Sequence, residues 1–140
     1  MFNSLACIFL ITCRVALVPL APVVQVSVQD KVMESYTGID WKGNEKDCLP
    51  AKLVAALEDV AKVYGPVYVN STHRSKAHNK AVGGAKYSQH MGCKAIDFGL
   101  VDKSKNKAAL KSIIADKRVG GYKLYGGGHF HIDTGVRRTW

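Results

Sequence analysis

The chain divides at residue 30, and the division fixes how much of it can build a core. Residues 5–28 are nearly all apolar, and over residues 1–30 the only charged side chains are Arg14 and Asp30. Everything that follows is mixed and polar, so the core has to come from residues 31–140. That length suits one domain and is too short for separate substrate and cofactor domains. With 47% apolar and 22% charged residues, 4 prolines and 13 glycines, the chain is neither a disordered tail nor a collagen nor a low-complexity linker. Lysine and arginine number 20 against 11 acidic residues. Because Arg14 and Asp30 cancel, the net charge of +9 belongs entirely to the body. Such a balance favours nucleic acid, an anionic membrane or an acidic cell wall.

Arg14 splits the apolar stretch and Pro19 and Pro22 interrupt the rest, so neither half supplies the roughly 18–20 uninterrupted apolar residues of a spanning helix. A secretory leader fits better, with residues 5–12 as its apolar core, although no lysine or arginine precedes that core and no clean small-x-small cleavage site follows it. Leu10-Ile11-Thr12-Cys13 also has the outline of a lipoprotein box, with threonine an unfavourable residue before the cysteine, which makes a lipid anchor the second reading. A misassigned start or a buried apolar strand is the third. The expectation is an exported protein, periplasmic, extracellular or wall-associated, with residues 1–30 as leader and 31–140 as the functional domain. Cys7 and Cys13 belong to the leader, so the body keeps Cys48 and Cys93. One bridge between them is open to it in an oxidising compartment, and the absence of any C-x-x-C pair argues against a zinc finger.

Residues 50–64 carry apolar side chains at Leu53, Leu57, Val60, Ala61 and Tyr64, the stripe of an amphipathic helix, with Pro50 suited to its start and Gly65 to its stop. Residues 67–69, 96–101, 122–125 and 130–133 read as strands, and residues 104–117 as a second helix whose lysines mark a solvated face. No internal repeat appears. The pattern predicts a small α+β domain, a mostly antiparallel sheet with helices packed on one side.

All five histidines fall between positions 73 and 131. His90 precedes Asp97 by seven residues, and His129-Phe130-His131 lies on the last strand. Residues two apart on a strand face the same side, so His129 and His131 point to one site while Phe130 packs away from it. Two imidazoles and one carboxylate leave a tetrahedral zinc one open position, the catalytic rather than the structural ligand count. Zinc in such a site lowers the pKa of its water toward about 7 and polarises a carbonyl, which suits amide hydrolysis.

The stretch Ser71-Thr72-His73-Arg74-Ser75-Lys76-Ala77-His78-Asn79, then Val82-Gly83-Gly84-Ala85, then Ser88-Gln89-His90 through Ala95-Ile96-Asp97-Phe98, resembles the zinc D-alanyl-D-alanine carboxypeptidases and related peptidoglycan peptidases. That group shares its fold with the amino-terminal domain of hedgehog proteins. Gly128-His129-Phe130-His131-Ile132-Asp133-Thr134-Gly135, followed by Arg137, Arg138 and Trp140, resembles its closing motif. The resemblance implies one zinc held by His90, Asp97 and His131. It also implies that Arg74 holds a substrate carboxylate or carbonyl oxygen beside the metal, as a guanidinium can. Family members place a general base shortly before the last ligand, a carboxylate in some branches and a histidine in others. Here three glycines precede His129, which makes His129 the candidate base. One departure stands out: the family's glycine three residues after the first ligand is Cys93 here, with Gly92 one position earlier. Cys93 then reads as a small buried residue, with a bridge to Cys48 or a competing metal thiolate as alternatives.

Asp133 reads either as an acceptor orienting a ligand imidazole or as the cap of the turn to Gly135. His73 and His78 read as outlying groups, Arg137 and Arg138 as wall or solvent contacts, and Ser88 as a residue shaping the ligand loop rather than a nucleophile. The expected function is hydrolysis of peptidoglycan stem peptides by a zinc-activated water, as a carboxypeptidase or an endopeptidase. Its expected partners are the stem peptide and an anionic wall, for a monomer with no specific protein partner. The alternative is a non-catalytic metal-binding wall module of the same fold. Nucleic acid is not expected, since the basic residues are scattered and no nucleic-acid motif accompanies them.

Overall fold

The computed structural model describes residues 38–140; the apolar leader, Cys7 and the lipoprotein-like Cys13 lie outside the described residues. In chain order the elements are β1 (Ile39–Asp40), α1 (Ala51–Tyr64), β2 (Val67–Ser71), α2 (Lys76–Ala81), a 3-10 turn (Gln89–Gly92), β3 (Ala95–Leu100), a second 3-10 turn (Lys103–Lys105), α3 (Asn106–Ala115), β4 (Tyr122–Leu124) and β5 (His129–Asp133). No helix among the described residues is long and apolar enough to cross a membrane.

α1 forms where the spacing predicts it. Leu53, Ala56, Leu57, Val60 and Ala61 make its buried stripe. Pro50 precedes its first residue, where a missing N–H loses no helical bond, and Gly65 ends it at a φ of 96°, a value glycine takes without a Cβ clash. The strands form one sheet in the order β1-β2-β3-β5-β4. β2, β3, β5 and β4 pair antiparallel, while β1 lies parallel to β2, so the expected antiparallel sheet is a mixed one with a short parallel edge.

Alternation along the strands gives the sheet two unlike faces. Val67 and Val69 on β2, Ile96, Phe98 and Leu100 on β3, and Phe130 and Ile132 on β5 join Leu53, Leu57, Val60, Ala109 and Ile113 in one apolar cluster, so α1 and α3 cover this face. Phe98 and Phe130, paired across β3 and β5, stack with ring centroids 5.1 Å apart. The other face carries Asp97 opposite His131 and Gly99 opposite His129. β2 changes register between Val69 and Ser71, a bulge that brings Ser71 opposite Asp97.

Three short elements are absent from the sequence-based expectation: β1, α2 and the Gln89–Gly92 turn. α2 packs against that turn rather than joining the apolar cluster. It starts at Ser75, whose hydroxyl accepts the His78 N–H at 3.1 Å.

Candidate metal centre

The polar face of the sheet and the Gln89–Gly92 turn bring His90, Asp97 and His131 together. One ligand atom from each lies within 4.8 Å of the others. His90 Nε2 stands 3.1 Å from Asp97 Oδ2, His131 Nδ1 stands 2.8 Å from Asp97 Oδ1, and the two ring nitrogens are 3.3 Å apart. Both imidazoles are buried.

The outer nitrogens of the two rings settle what the inner ones are. His90 Nδ1 lies 2.5 Å from the Thr72 carbonyl oxygen, which can only accept, so Nδ1 carries the proton. His131 Nε2 lies 3.0 Å from Asp133 Oδ2. Burial works against charge on Asp133, but hydrogen bonds from His131, the Gly135 and Gly121 N–H groups and Arg138 outweigh it and hold its carboxyl at about 2. Asp133 is therefore an acceptor and His131 Nε2 its donor. In the neutral rings both inner nitrogens are then lone pairs, and both face a carboxylate. Burial opposes charge on Asp97 as well, yet when the imidazoles are protonated at their inner nitrogens, hydrogen bonds from His131 and His90 hold its carboxyl well below the usual carboxylate range. With both rings neutral, the two lone pairs and the carboxylate offer no donor to one another, an arrangement that a cation held between them relieves. Ligands about 2.0–2.1 Å from a tetrahedral zinc stand about 3.3 Å apart; the two ring nitrogens have that spacing, and the Asp97 oxygens stand somewhat closer, at 3.1 and 2.8 Å. A proton competes for the same place. Burial works against charge on His131, but its bonds to Asp133 and Asp97 raise its pKa above the ordinary histidine value.

Asp133 has both of the roles its position suggests. It is fully buried, and while Oδ2 holds His131, Oδ1 accepts the Gly121 N–H at 2.9 Å and the Gly135 N–H at 2.8 Å. A Cβ at position 121 would collide with the Asp133 carboxylate, so the chain can approach that closely only as glycine. Arg138, expected at the wall or in solvent, instead donates to Asp133 Oδ2 at 2.7 Å. Arg137 stays exposed, donating to the carbonyls of Ile114 in the last turn of α3 and Val119 just after it. The charge of Arg138 is legible in the sequence, but the burial of the carboxylate it meets is not.

Arg74 is brought onto the cluster. Its Nη2 donates to Asp97 Oδ2, its Nε donates to Ser71 Oγ at 2.8 Å, and its backbone N–H donates to the His90 carbonyl at 3.0 Å. His129 shares the polar face but is not hydrogen-bonded to the ligands; its ring stacks on Tyr125 with centroids 4.7 Å apart. It lines a hollow of about 380 Å³ together with Arg74, Asp97 and His78. A second hollow of about 420 Å³ opens on the ligands from the other side, with Ser88, Tyr125, Arg138 and Trp140 in its walls. The two meet at Arg74 and Asp97. A larger hollow, about 510 Å³, has no His, Cys, Asp or Glu in its lining.

His73 points outward to Glu45 at 3.5 Å. Ser88 shapes the ligand loop through its backbone, accepting the Met91 N–H and donating to Ala85, while its hydroxyl makes no cap bond. Cys93 is buried and bridged to Cys48, so its sulfur is not a metal ligand. Sequence reasoning missed the Thr72 carbonyl, which leaves no side-chain signature, and the wall aromatics. Trp140 meets His131 edge-on at 5.1 Å, and its only sequence signal is an aromatic closing the last motif.

A family model described as Peptidase M15 matches residues 27–133. No curated protein matches the chain.

Proposed function

The chain belongs to the peptidase M15 family, a family of zinc peptidases, and from that premise we propose that it hydrolyses peptidoglycan stem peptides, as a carboxypeptidase or an endopeptidase. One observation carries the reading. His90 Nε2, Asp97 and His131 Nδ1 converge while Thr72 and Asp133 fix the far nitrogens of both rings. That is the ligand set of a catalytic zinc together with the outer hydrogen bonds that orient it. Bound there, zinc supplies a polarised carbonyl and a water acidic enough to attack it near neutral pH.

The chain's own residues supply the rest. Arg74 is held by Ser71 and reaches the point where the two hollows meet, so its guanidinium can fix a substrate carboxylate or stabilise charge on the scissile carbonyl. His129 faces the same side of β5 as His131 and lies in a hollow with Arg74 and Asp97, which supports it as the group that takes a proton and returns it to the leaving amine. The reading extends to the hedgehog/DD-peptidase arrangement for residues 31–140, and to export through residues 1–30 as leader or lipid anchor. The net charge of +9 then draws the body to an anionic wall.

Purified protein is expected to carry about one zinc and to release amino acids or stem fragments from defined muropeptides, read by mass spectrometry. His131→Ala should abolish both. The stacking of His129 on Tyr125 favours a second reading, a metal-binding wall module without catalysis. Full zinc content with intact muropeptides after long incubation would establish that module and end the peptidase reading.

A further inference from the structure

Cys93 closes the turn that carries His90, and it does so at φ 52° and ψ 41°, in the left-handed region. Holding an L-residue there costs roughly five- to thirty-fold in the local equilibrium, a cost glycine escapes. Among the described residues Lys42 is the other non-glycine with positive φ, and it lies in an exposed turn. Gly92, one residue earlier, is not among the glycines with positive φ, so it does not take over the role.

That conformation reverses the chain between two ligands. The Cys93 N–H donates to the His90 carbonyl at 3.2 Å and the Lys94 N–H to the Gln89 carbonyl at 3.0 Å, after which β3 begins at Ala95 and brings Asp97 beneath His90. The His90 carbonyl also accepts the Arg74 N–H at 3.0 Å. A right-handed residue at position 93 would prolong the helical turn. The Cys93 N–H would keep the His90 carbonyl, but the Lys94–Gln89 bond, which needs a left-handed residue between its partners, would open and β3 would leave the turn in another direction, pulling on the Arg74–His90 contact. What holds the position is fastened elsewhere. Cys48 sits directly before buried Leu49 and Pro50, at the start of α1, and its Cα lies 5.9 Å from that of Cys93.

We propose that the Cys48–Cys93 disulfide is a positioning device for the metal centre. By tying the Cys93 side chain to the start of α1 it keeps position 93 left-handed without a glycine, and thereby keeps His90 Nε2 turned toward Asp97 and His131. The inference rests on the reading of His90 as a metal ligand, and its test separates the two.

The experiment compares the wild-type chain with Cys48→Ala, Cys48→Ala/Cys93→Gly and Cys48→Ala/Cys93→Ala. Amide exchange at Arg74 and Lys94 is measured in the metal-free proteins, and zinc affinity by competition with a chromogenic chelator. Cys48→Ala should lower both amide protection and zinc affinity by roughly five- to thirty-fold. Glycine at position 93 should recover both, and alanine should not. Wild-type values in Cys48→Ala, or equal behaviour of the glycine and alanine double variants, would overturn the proposal. If Cys48→Ala does not fold, the glycine double variant must fold and bind zinc, and its failure would overturn the proposal too. A wild-type chain that binds no zinc would remove the metal reading, and the exchange series would still decide the role of the bridge.

Discussion

The two faces of the central sheet are covered by opposite means, the helix-packed one almost completely and the polar one only at its centre. On β3 and β5, Ile96, Phe98, Phe130 and Ile132 turn to the helices, while Asp97, His131 and Asp133 alternate with them on the other side. Phe98 is 0% and Asp133 also 0% exposed. The helix-covered face removes apolar surface from water and packs it, a non-directional gain spread over many contacts. The other face buries charge and has to satisfy each polar atom by a particular partner, with one place among three acceptors that only a cation fills. Packing should therefore govern stability, and the polar network should govern metal binding.

The sharpest way to break this division is to cut each face at its centre. His131→Ala removes one inner nitrogen, and zinc affinity should fall by at least about 100-fold with loss of hydrolysis, going beyond what loss of an outer partner costs. Asp133 keeps Gly121, Gly135 and Arg138 in that variant, so metal-free urea unfolding should shift only modestly. Phe98→Ala deletes a fully buried ring stacked on Phe130 and should cost about 3–5 kcal/mol. The fraction that stays folded should bind zinc within a few-fold of wild type. A His131→Ala protein that is destabilised as much as Phe98→Ala would show that the faces are not separable.

The same division explains what could be read in the sequence. Alternation from His129 to Asp133 places the two chemistries on opposite faces because strand geometry is local, and the α1 stripe is legible because helix periodicity is local. β1 has two residues, α2 has six, and neither carries enough periods to show a pattern. The convergence of His90 on His131, 41 positions away, was reached through resemblance to known peptidases rather than through spacing. The Cys48–Cys93 bridge spans 45 residues, and position 93 looks like an ordinary buried cysteine until its φ is known. Arg138 read as a solvent contact because nothing in a linear sequence distinguishes an acid buried at position 133 from an exposed one.

Asp133 sits where the two regimes meet, a buried charge that stabilises the fold and also aims a ligand. Asp133→Asn keeps the volume, loses the charge and places an amide against donors, so zinc affinity should fall about 10–100-fold. The stability effect depends on pH. The folded-state pKa is depressed from 3.8 to about 2, so the contribution is fully present above about pH 4 and is lost as pH falls through 2. In metal-free protein the wild type should exceed Asp133→Asn by on the order of 2 kcal/mol at pH 5, and the difference should shrink as pH falls toward about 2 and vanish below it. A pH-independent difference would mean that shape, not charge, is what Asp133 contributes.

The smallest expected effect tests the division from outside the site. Arg118 bonds Asp116 through Nε at 3.0 Å and Nη2 at 2.7 Å, and reaches Asp59 on α1 at 2.6 Å, joining the end of α3 to the other helix on the apolar side of the sheet. Asp59 is 62% and Arg118 37% exposed at the side chain, so water and salt screen the pairs, and Arg118→Ala should cost no more than about 1 kcal/mol. The hydrogen bond from Arg118 holds Asp116 below the ordinary carboxylate value, against a smaller opposing effect of burial. The contribution is thus present above about pH 4, declines as pH falls through the lowered value, and weakens with added salt. None of these groups touches a ligand or either of the hollows at the metal cluster. Zinc affinity in Arg118→Ala should match wild type across the range where both proteins are folded. A shift of tenfold would mean that helix packing is transmitted through β3 and β5 to the ligands, so that the faces act as one.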